Sequence, residues 1–216
     1  MTAKVHRHFV KTARGVSSPL HAAIRDIGRI RMPDRRRPGL AYFLSRVVVG
    51  QQLSTAAARS IWTRVEAAVK ANGSTVPEFF RGTNARLLRR CGLSKNKVRA
   101  LIAIREAHET GALSMRRLQR MDHAERSEHL VAIWGIGQWT ADMTSIFFFN
   151  DPDVWPEGDL AVQKTFRALC GTRSRTKVLK MARSFAPYRS YLALYMWRHL
   201  DAPSEAAKKR ATKQPV

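Results

Sequence analysis

At 216 residues the chain is long enough for one compact domain or for two small lobes. It carries 39 Lys and Arg against 16 Asp and Glu, a formal net charge of +23, which exceeds what solubility needs and favours a polyanionic partner. Two cysteines, Cys91 and Cys170, exclude a disulfide framework and an iron–sulfur cluster, and no apolar run approaches a membrane span.

Residues 1–17 are polar and basic and read as a flexible N-terminal arm rather than a signal peptide. Pro19 to Ile30 reads as a helix, with Leu20, Ile24 and Ile27 on one face. Met32 to Gly39 is a basic Pro/Gly linker, followed by a very apolar helix from Leu40 to Val49. Gly50-Gln51-Gln52-Leu53-Ser54 interrupts it, and Ser54 or Thr55 caps the next helix, in which Ile61, Trp62, Val65 and Val69 form the buried stripe. Two adjacent glutamines at a break between apolar helices are either a turn with solvated amides or a functional loop. Pro77 to Arg90 reads as another helix, ending near Cys91-Gly92.

Ser94 caps a helix from Lys95 to Glu109. Lys95 and Lys97 in its first turn oppose the helix dipole, a conflict that a nearby phosphate would relieve. Leu113 to Met121 is a short helix, and Ala124 to Ile133 leads into Gly135-Ile136-Gly137. These glycines permit positive φ and a tight turn into a second helix from about Gln138 to Phe149. The N–H groups at the start of that helix make a seat for an anion. Asp159 opens a helix from Leu160 to Leu169, and on local grounds it reads first as an N-cap.

The segment from Lys164 to Arg183 holds seven basic residues and no acids, and Arg81 to Arg117 holds ten against two. A final helix runs from Tyr191 to Leu200, and residues 202–216 read as a disordered basic tail. With almost no strand signal and no internal repeat, the chain reads as all-α with roughly ten helices. The histidines show no zinc spacing, and neither a nucleophile elbow nor a phosphate loop occurs.

The run LVAIWGIGQWTA at 130–141, then Asp159 after a Pro/Gly-containing loop, resembles the helix-hairpin-helix (HhH-GPD) base-excision DNA glycosylases. The similarity is greatest to the alkylbase, or 3-methyladenine DNA glycosylase II, branch. It extends over about Leu20 to Leu200 and includes GLSKNKVRAL at 92–101 and the helix entry Ser184 to Ser190, where Phe185 replaces the usual tryptophan. The resemblance implies two helical lobes around a DNA-binding cleft. One lobe is residues 43–149 with the hairpin; the other is 18–42 plus 150–201, with Asp159 at the mouth of the base pocket.

It further implies that Asp159 is the catalytic carboxylate and that Trp139, Met143 and Trp197 line the base pocket. Core packing is the alternative reading of both tryptophans. Some relatives have tyrosine where Met143 stands. Gln52 matches the DNA wedge, a role Leu53 can share, and Gly135, Gly137, Thr140, Ser94, Lys95 and Lys97 match contacts to the DNA backbone. The main-chain carbonyls of Val131, Ile133 and Ile136 match a site for a monovalent cation, Na+ or K+, in the hairpin; no cofactor is required. Bifunctional relatives carry a lysine two residues after the second glycine, where this chain has Trp139. The implied activity is therefore hydrolytic removal of alkylated purines from double-stranded DNA without strand cleavage. The implied protein is a monomer in the cytoplasm with the chromosomal DNA. The alternatives are a non-catalytic binder of bent or damaged DNA, or a glycosylase for hypoxanthine, ethenoadenine or a mismatched base.

Overall fold

A computed structural model of the chain describes residues 1–33, 37 and 39–202. The expected tail, beyond Ala202, and most of the charged part of the expected linker lie outside the described residues. Twelve α-helices and one 3-10 turn occur among the described residues, with no strand. In order they are α1 (Ala3–Val16), α2 (Ser18–Ile27), α3 (Leu40–Gly50), α4 (Thr55–Ala71), the 3-10 turn Gly82–Asn84, α5 (Ala85–Arg90), α6 (Lys95–Glu109), α7 (Met115–Leu118), α8 (His123–Val131), α9 (Gln138–Phe147), α10 (Leu160–Cys170), α11 (Arg175–Arg183) and α12 (Arg189–Asp201). The chain divides into two compact units, one of Met1–Met32 with Trp155–Val216, the other of Pro33–Val154.

The first unit joins the two ends of the chain, and α1 corrects the reading of a flexible arm. Phe9 and Ala13, four residues apart, are both fully buried, while Lys4, Arg7, Lys11 and Arg14 stay on the exposed side. The Phe9 ring lies 5.2 Å from that of Phe185 and 5.6 Å from that of Tyr195. Buried Tyr195 donates its hydroxyl to the Gly28 carbonyl at 2.8 Å and meets His6 Nδ1 at 2.9 Å. Desolvation holds its phenol well above the usual range. The departing Trp in the Ser184–Ser190 segment is thus a phenylalanine with no exposure at all, packed on the N-terminal helix.

The second unit is organised around α3, whose face packs against α4, α6 and α9. Leu44, Val48, Val65, Leu101, Ile104 and Leu130 form the middle of its core. The single helix expected over Pro77 to Arg90 is instead a turn, a 3-10 segment and α5. Local side chains compete for the backbone there: the Glu78 carboxylate accepts from the Thr75 amide at 3.2 Å, and Asn84 Nδ2 donates to the Phe79 carbonyl at 2.8 Å. The helix read over Leu113 to Met121 shrinks to α7.

Both cysteines are free thiols. Burial pushes the Cys91 thiol up, and its sulfur faces the Arg64 carbonyl at 3.6 Å. Burial pushes Cys170 up to about 11, against a smaller opposing effect of the Ser17 hydroxyl. Only the thiolate is nucleophilic, so at pH 8 Cys170 in the native protein should react with an aromatic disulfide reagent roughly a hundredfold more slowly than an unperturbed thiol. Thiol titration with and without denaturant checks this.

Candidate DNA-binding and catalytic site

Within the second unit, α8 and α9 form a helix–hairpin–helix. A capping box starts α8: Asp122 accepts from the Glu125 amide at 2.9 Å and Glu125 accepts from the Asp122 amide at 3.0 Å. Past Val131 the chain closes through amide bonds from Ile133 to the Leu130 carbonyl (3.1 Å) and from Ile136 to the Ile133 carbonyl (3.0 Å). Of the two glycines only Gly135 is left-handed, at φ +86°. It also sits so close to α6 that an added Cβ would lie 2.4 Å from the Ala100 Cβ. Gly137 is extended, at φ −95° and ψ 175°, and is the N-cap of α9 without a side-chain cap bond. A glycine here contributes no hydroxyl or carboxylate to the first-turn N–H groups, and it leaves the approach to them open to an anion.

A polar network braces α8 and α9. Gln138 Nε2 donates to Ser127 Oγ and to Asp142 Oδ1, each at 2.8 Å. Arg126, only 6% exposed, donates to the carbonyls of Leu118 at 3.1 Å and Met121 at 2.7 Å. Its guanidinium lies 3.5 Å from Asp151 Oδ2 and 4.2 Å from the Phe149 ring centroid. Sequence reading passed over Ser127 and Arg126, whose partners here lie on other elements.

The Gly50–Ser54 turn holds the expected wedge. The Gln52 backbone is left-handed at φ +56°, and the side chain is exposed, as is that of Leu53. A non-glycine residue there costs roughly 1–3 kcal/mol and persists only where its surroundings fix it. Gln51 is half-buried and tied to the hairpin: its Nε2 donates to Thr140 Oγ1 at 2.9 Å and reaches the Gly135 carbonyl at 3.5 Å. Ser54, rather than Thr55, caps α4 by accepting from the Ala57 amide.

Two residues expected on the DNA backbone point inward instead. Thr140 is 1% exposed and its hydroxyl is Gln51's acceptor. Lys97 donates to the carbonyls of Val49 at 2.7 Å and Gln51 at 2.8 Å, and desolvation lowers its pKa. Those carbonyls at the end of α3 lack helical partners, so the ammonium is a C-terminal cap, satisfying them and favoured by the dipole. Ser94 caps α6 through the Lys97 amide. Lys95 remains exposed, and so does Arg99 one turn on, whose guanidinium lies 4.2 Å from the Trp134 ring centroid. Sequence reading missed Arg99 although it falls in the basic Arg81–Arg117 segment, at i+4 from Lys95.

Trp139 is half-buried and Met143, 5% exposed, follows it at i+4 on the same face of α9. In the first unit, Asp159 is 6% exposed and is the N-cap of α10, its Oδ1 accepting from the Val162 amide at 2.9 Å. That bond fixes the carboxylate rotamer. Trp197, on α12, is half-buried. Among the described residues no cluster of His, Cys, Asp or Glu could hold a metal ion, and no helix is long and apolar enough to cross a membrane.

Residues 45–188 match the family described as HhH-GPD superfamily base excision DNA repair protein. The chain is 33% identical over 159 residues to DNA-3-methyladenine glycosylase 1 of Schizosaccharomyces pombe, covering 72% of this chain and 70% of that one. Its fold is similar to the structure of a 3-methyladenine DNA glycosylase of the same yeast in complex with abasic DNA (TM-score 0.78, 29% identity, 91% of this chain and 96% of that one). It is also similar to a DNA-3-methyladenine glycosidase of Bacillus halodurans (TM-score 0.72, 31% identity, 95% and 91%). The matched segment spans the hairpin and Asp159, and the chain belongs to the HhH-GPD superfamily of base excision DNA repair proteins.

Proposed function

We propose that the chain is a monofunctional DNA glycosylase that extrudes alkylated purines from duplex DNA and hydrolyses their N-glycosidic bond, leaving an abasic site. The observation that carries this reading is Asp159, a carboxylate held at 6% exposure by the Val162 amide in a chain whose hairpin lacks lysine. A base must leave the stack before its sugar bond can be cleaved. The uncapped N-terminus of α9 grips a phosphate, Gln52 with Leu53 fills the gap, and Trp139, Met143 and Trp197 supply the apolar and aromatic surface that receives an electron-poor or cationic purine.

Heterolysis sends the bonding electron pair out with the purine and leaves positive charge on the sugar. The Asp159 carboxylate stabilises that charge in a water-poor site. Water then adds to the anomeric carbon and gives up one proton, so base and deoxyribose hydroxyl are the products. Trp139 stands where a Schiff-base lysine would, so no amine attacks the sugar and the strand stays intact.

The carbonyls of Val131, Ile133 and Ile136 suit a monovalent cation: they are neutral main-chain oxygens, Val131 at the C-terminal end of α8 and the other two in the hairpin beyond it, and their side chains offer no competing donor. When bound, such an ion supplies an electrostatic bridge to a phosphate.

Purified protein and methylated duplex DNA test the reading: free 3-methyladenine and 7-methylguanine with alkali-labile but otherwise unbroken strands are expected. Binding without base release would leave a damaged-DNA binder, and direct strand scission would overturn the monofunctional assignment. A panel of single-lesion duplexes separates alkylated purines from hypoxanthine, ethenoadenine and mismatched bases.

Lys95 and Arg99 are exposed like charges at i,i+4 beside the hairpin and supply backbone contacts. Replacing Arg99 by Gln should reduce the slope of log affinity against log salt by about 0.9, the value for one phosphate contact, with the base-release step unchanged. A salt titration at fixed temperature reads this directly.

A further inference from the structure

The wedge turn is fastened at both sides by groups that belong to other elements. Lys97, from α6, closes on the carbonyls of Val49 and Gln51 at 2.7 and 2.8 Å. Directly after the second of these carbonyls the backbone turns left-handed at Gln52. The Gln51 side chain then crosses to the hairpin, donating to Thr140 Oγ1 at 2.9 Å beside the Gly135 carbonyl at 3.5 Å. Thr140 lies in the first turn of α9, the turn that carries the anion seat, and Gly135 is the residue that docks the hairpin on Ala100 of α6. Turn, hairpin and α6 therefore share one half-buried polar joint.

Nothing in a simple surface turn calls for this joint. A solvated turn satisfies its carbonyls with water and leaves the amide of Gln51 free to move. Here a lysine gives up solvent to hold two main-chain carbonyls, and burial disfavours its charge, a cost the two hydrogen bonds offset. The joint fixes Gln51, which directly precedes Gln52, the one turn residue with an uncommon backbone conformation.

We infer that Gln51 and Lys97 are positioning residues that preset Gln52 as a wedge and couple it to the phosphate grip of the hairpin, so that seating the backbone and filling the base stack occur as one step. Gln51 touches no DNA in this scheme; it acts through Gln52. The inference rests on the reading of Gln52 as the wedge, and the test distinguishes failure of either.

The experiment is a double-mutant cycle of Gln51→Leu and Gln52→Ala in the full chain. It is read by fluorescence of 2-aminopurine next to a lesion, by single-turnover base release and by affinity for an abasic duplex. Gln51→Leu should lower both the unstacking rate and base release about tenfold, while abasic-DNA affinity changes by less than about threefold. In the Gln52→Ala background the same substitution should cause no further loss. Losses that multiply, or a Gln51→Leu protein that unstacks DNA like the parent, overturn the inference. A Gln52→Ala protein with unimpaired unstacking overturns the wedge reading instead. Thr140→Val removes only the acceptor hydroxyl, and it carries the same cycle should Gln51→Leu fail to fold.

Discussion

Asp159→Asn should reduce single-turnover base release by a factor of about 100 to 1,000 while the protein keeps its fold and its affinity for DNA. The factor is that of removing one preorganised electrostatic contact to a charge that develops only in the transition state. The substitution isolates charge from structure for a local reason. Asn and Asp are comparable N-caps, and the amide oxygen of Asn can still accept from Val162, the bond seen at 2.9 Å. Asp159→Ala would mix the two effects, adding about 1 kcal/mol of lost capping to the lost chemistry. Melting temperature, anisotropy with a lesion-bearing duplex and base release should be measured on both variants. An Asn variant within tenfold of the parent rate would remove this carboxylate from the reaction.

Gly135→Ala should destabilise the protein by about 2–5 kcal/mol and weaken DNA binding at least tenfold. Two penalties add. The backbone at φ +86° disfavours any L side chain by roughly 1–2 kcal/mol, and a methyl group 2.4 Å from the Ala100 Cβ forces hairpin and α6 apart, an overpacking cost of about 1–3 kcal/mol. Gly137→Ala is the informative partner. At φ −95°, with nothing within 4 Å of an added Cβ, it should change stability by only about 0.5 kcal/mol. Its methyl group would stand on the approach to the first-turn amides, so affinity should fall without a matching fall in melting temperature. Equal behaviour of the two variants, in chemical denaturation and in binding, would contradict this division of labour.

The fold class and the helix–hairpin–helix were legible because their signals are local. Apolar residues at helical spacing, Ser and Asp caps and two glycines specify α6, α8, α9 and α10 with no reference to distant parts of the chain. The terminal helix α1 had the same kind of signal in Phe9 and Ala13, but the charged residues around them outweighed it, and what buries them is Phe185 and Tyr195 near the other end. Asp159 was legible as a cap; its chemistry came through family likeness. The reading of Lys97 and Thr140 went astray for one reason. A polar residue beside a DNA-binding hairpin looks the same in sequence whether it faces the phosphates or the protein, and only the contact with Gln51, 89 residues from Thr140, separates the cases. Arg99 shows the reverse. Its stack on Trp134 depends on the Gly135–Ala100 approach, which sequence spacing does not reveal.

The raised thiol of Cys170 and the buried one of Cys91 bear on the conditions in which such a protein works. Methylating electrophiles that damage purines also attack sulfur, and they do so through the anion. Burial favours the protonated form of both thiols in this chain, and so lowers their reactivity toward such electrophiles.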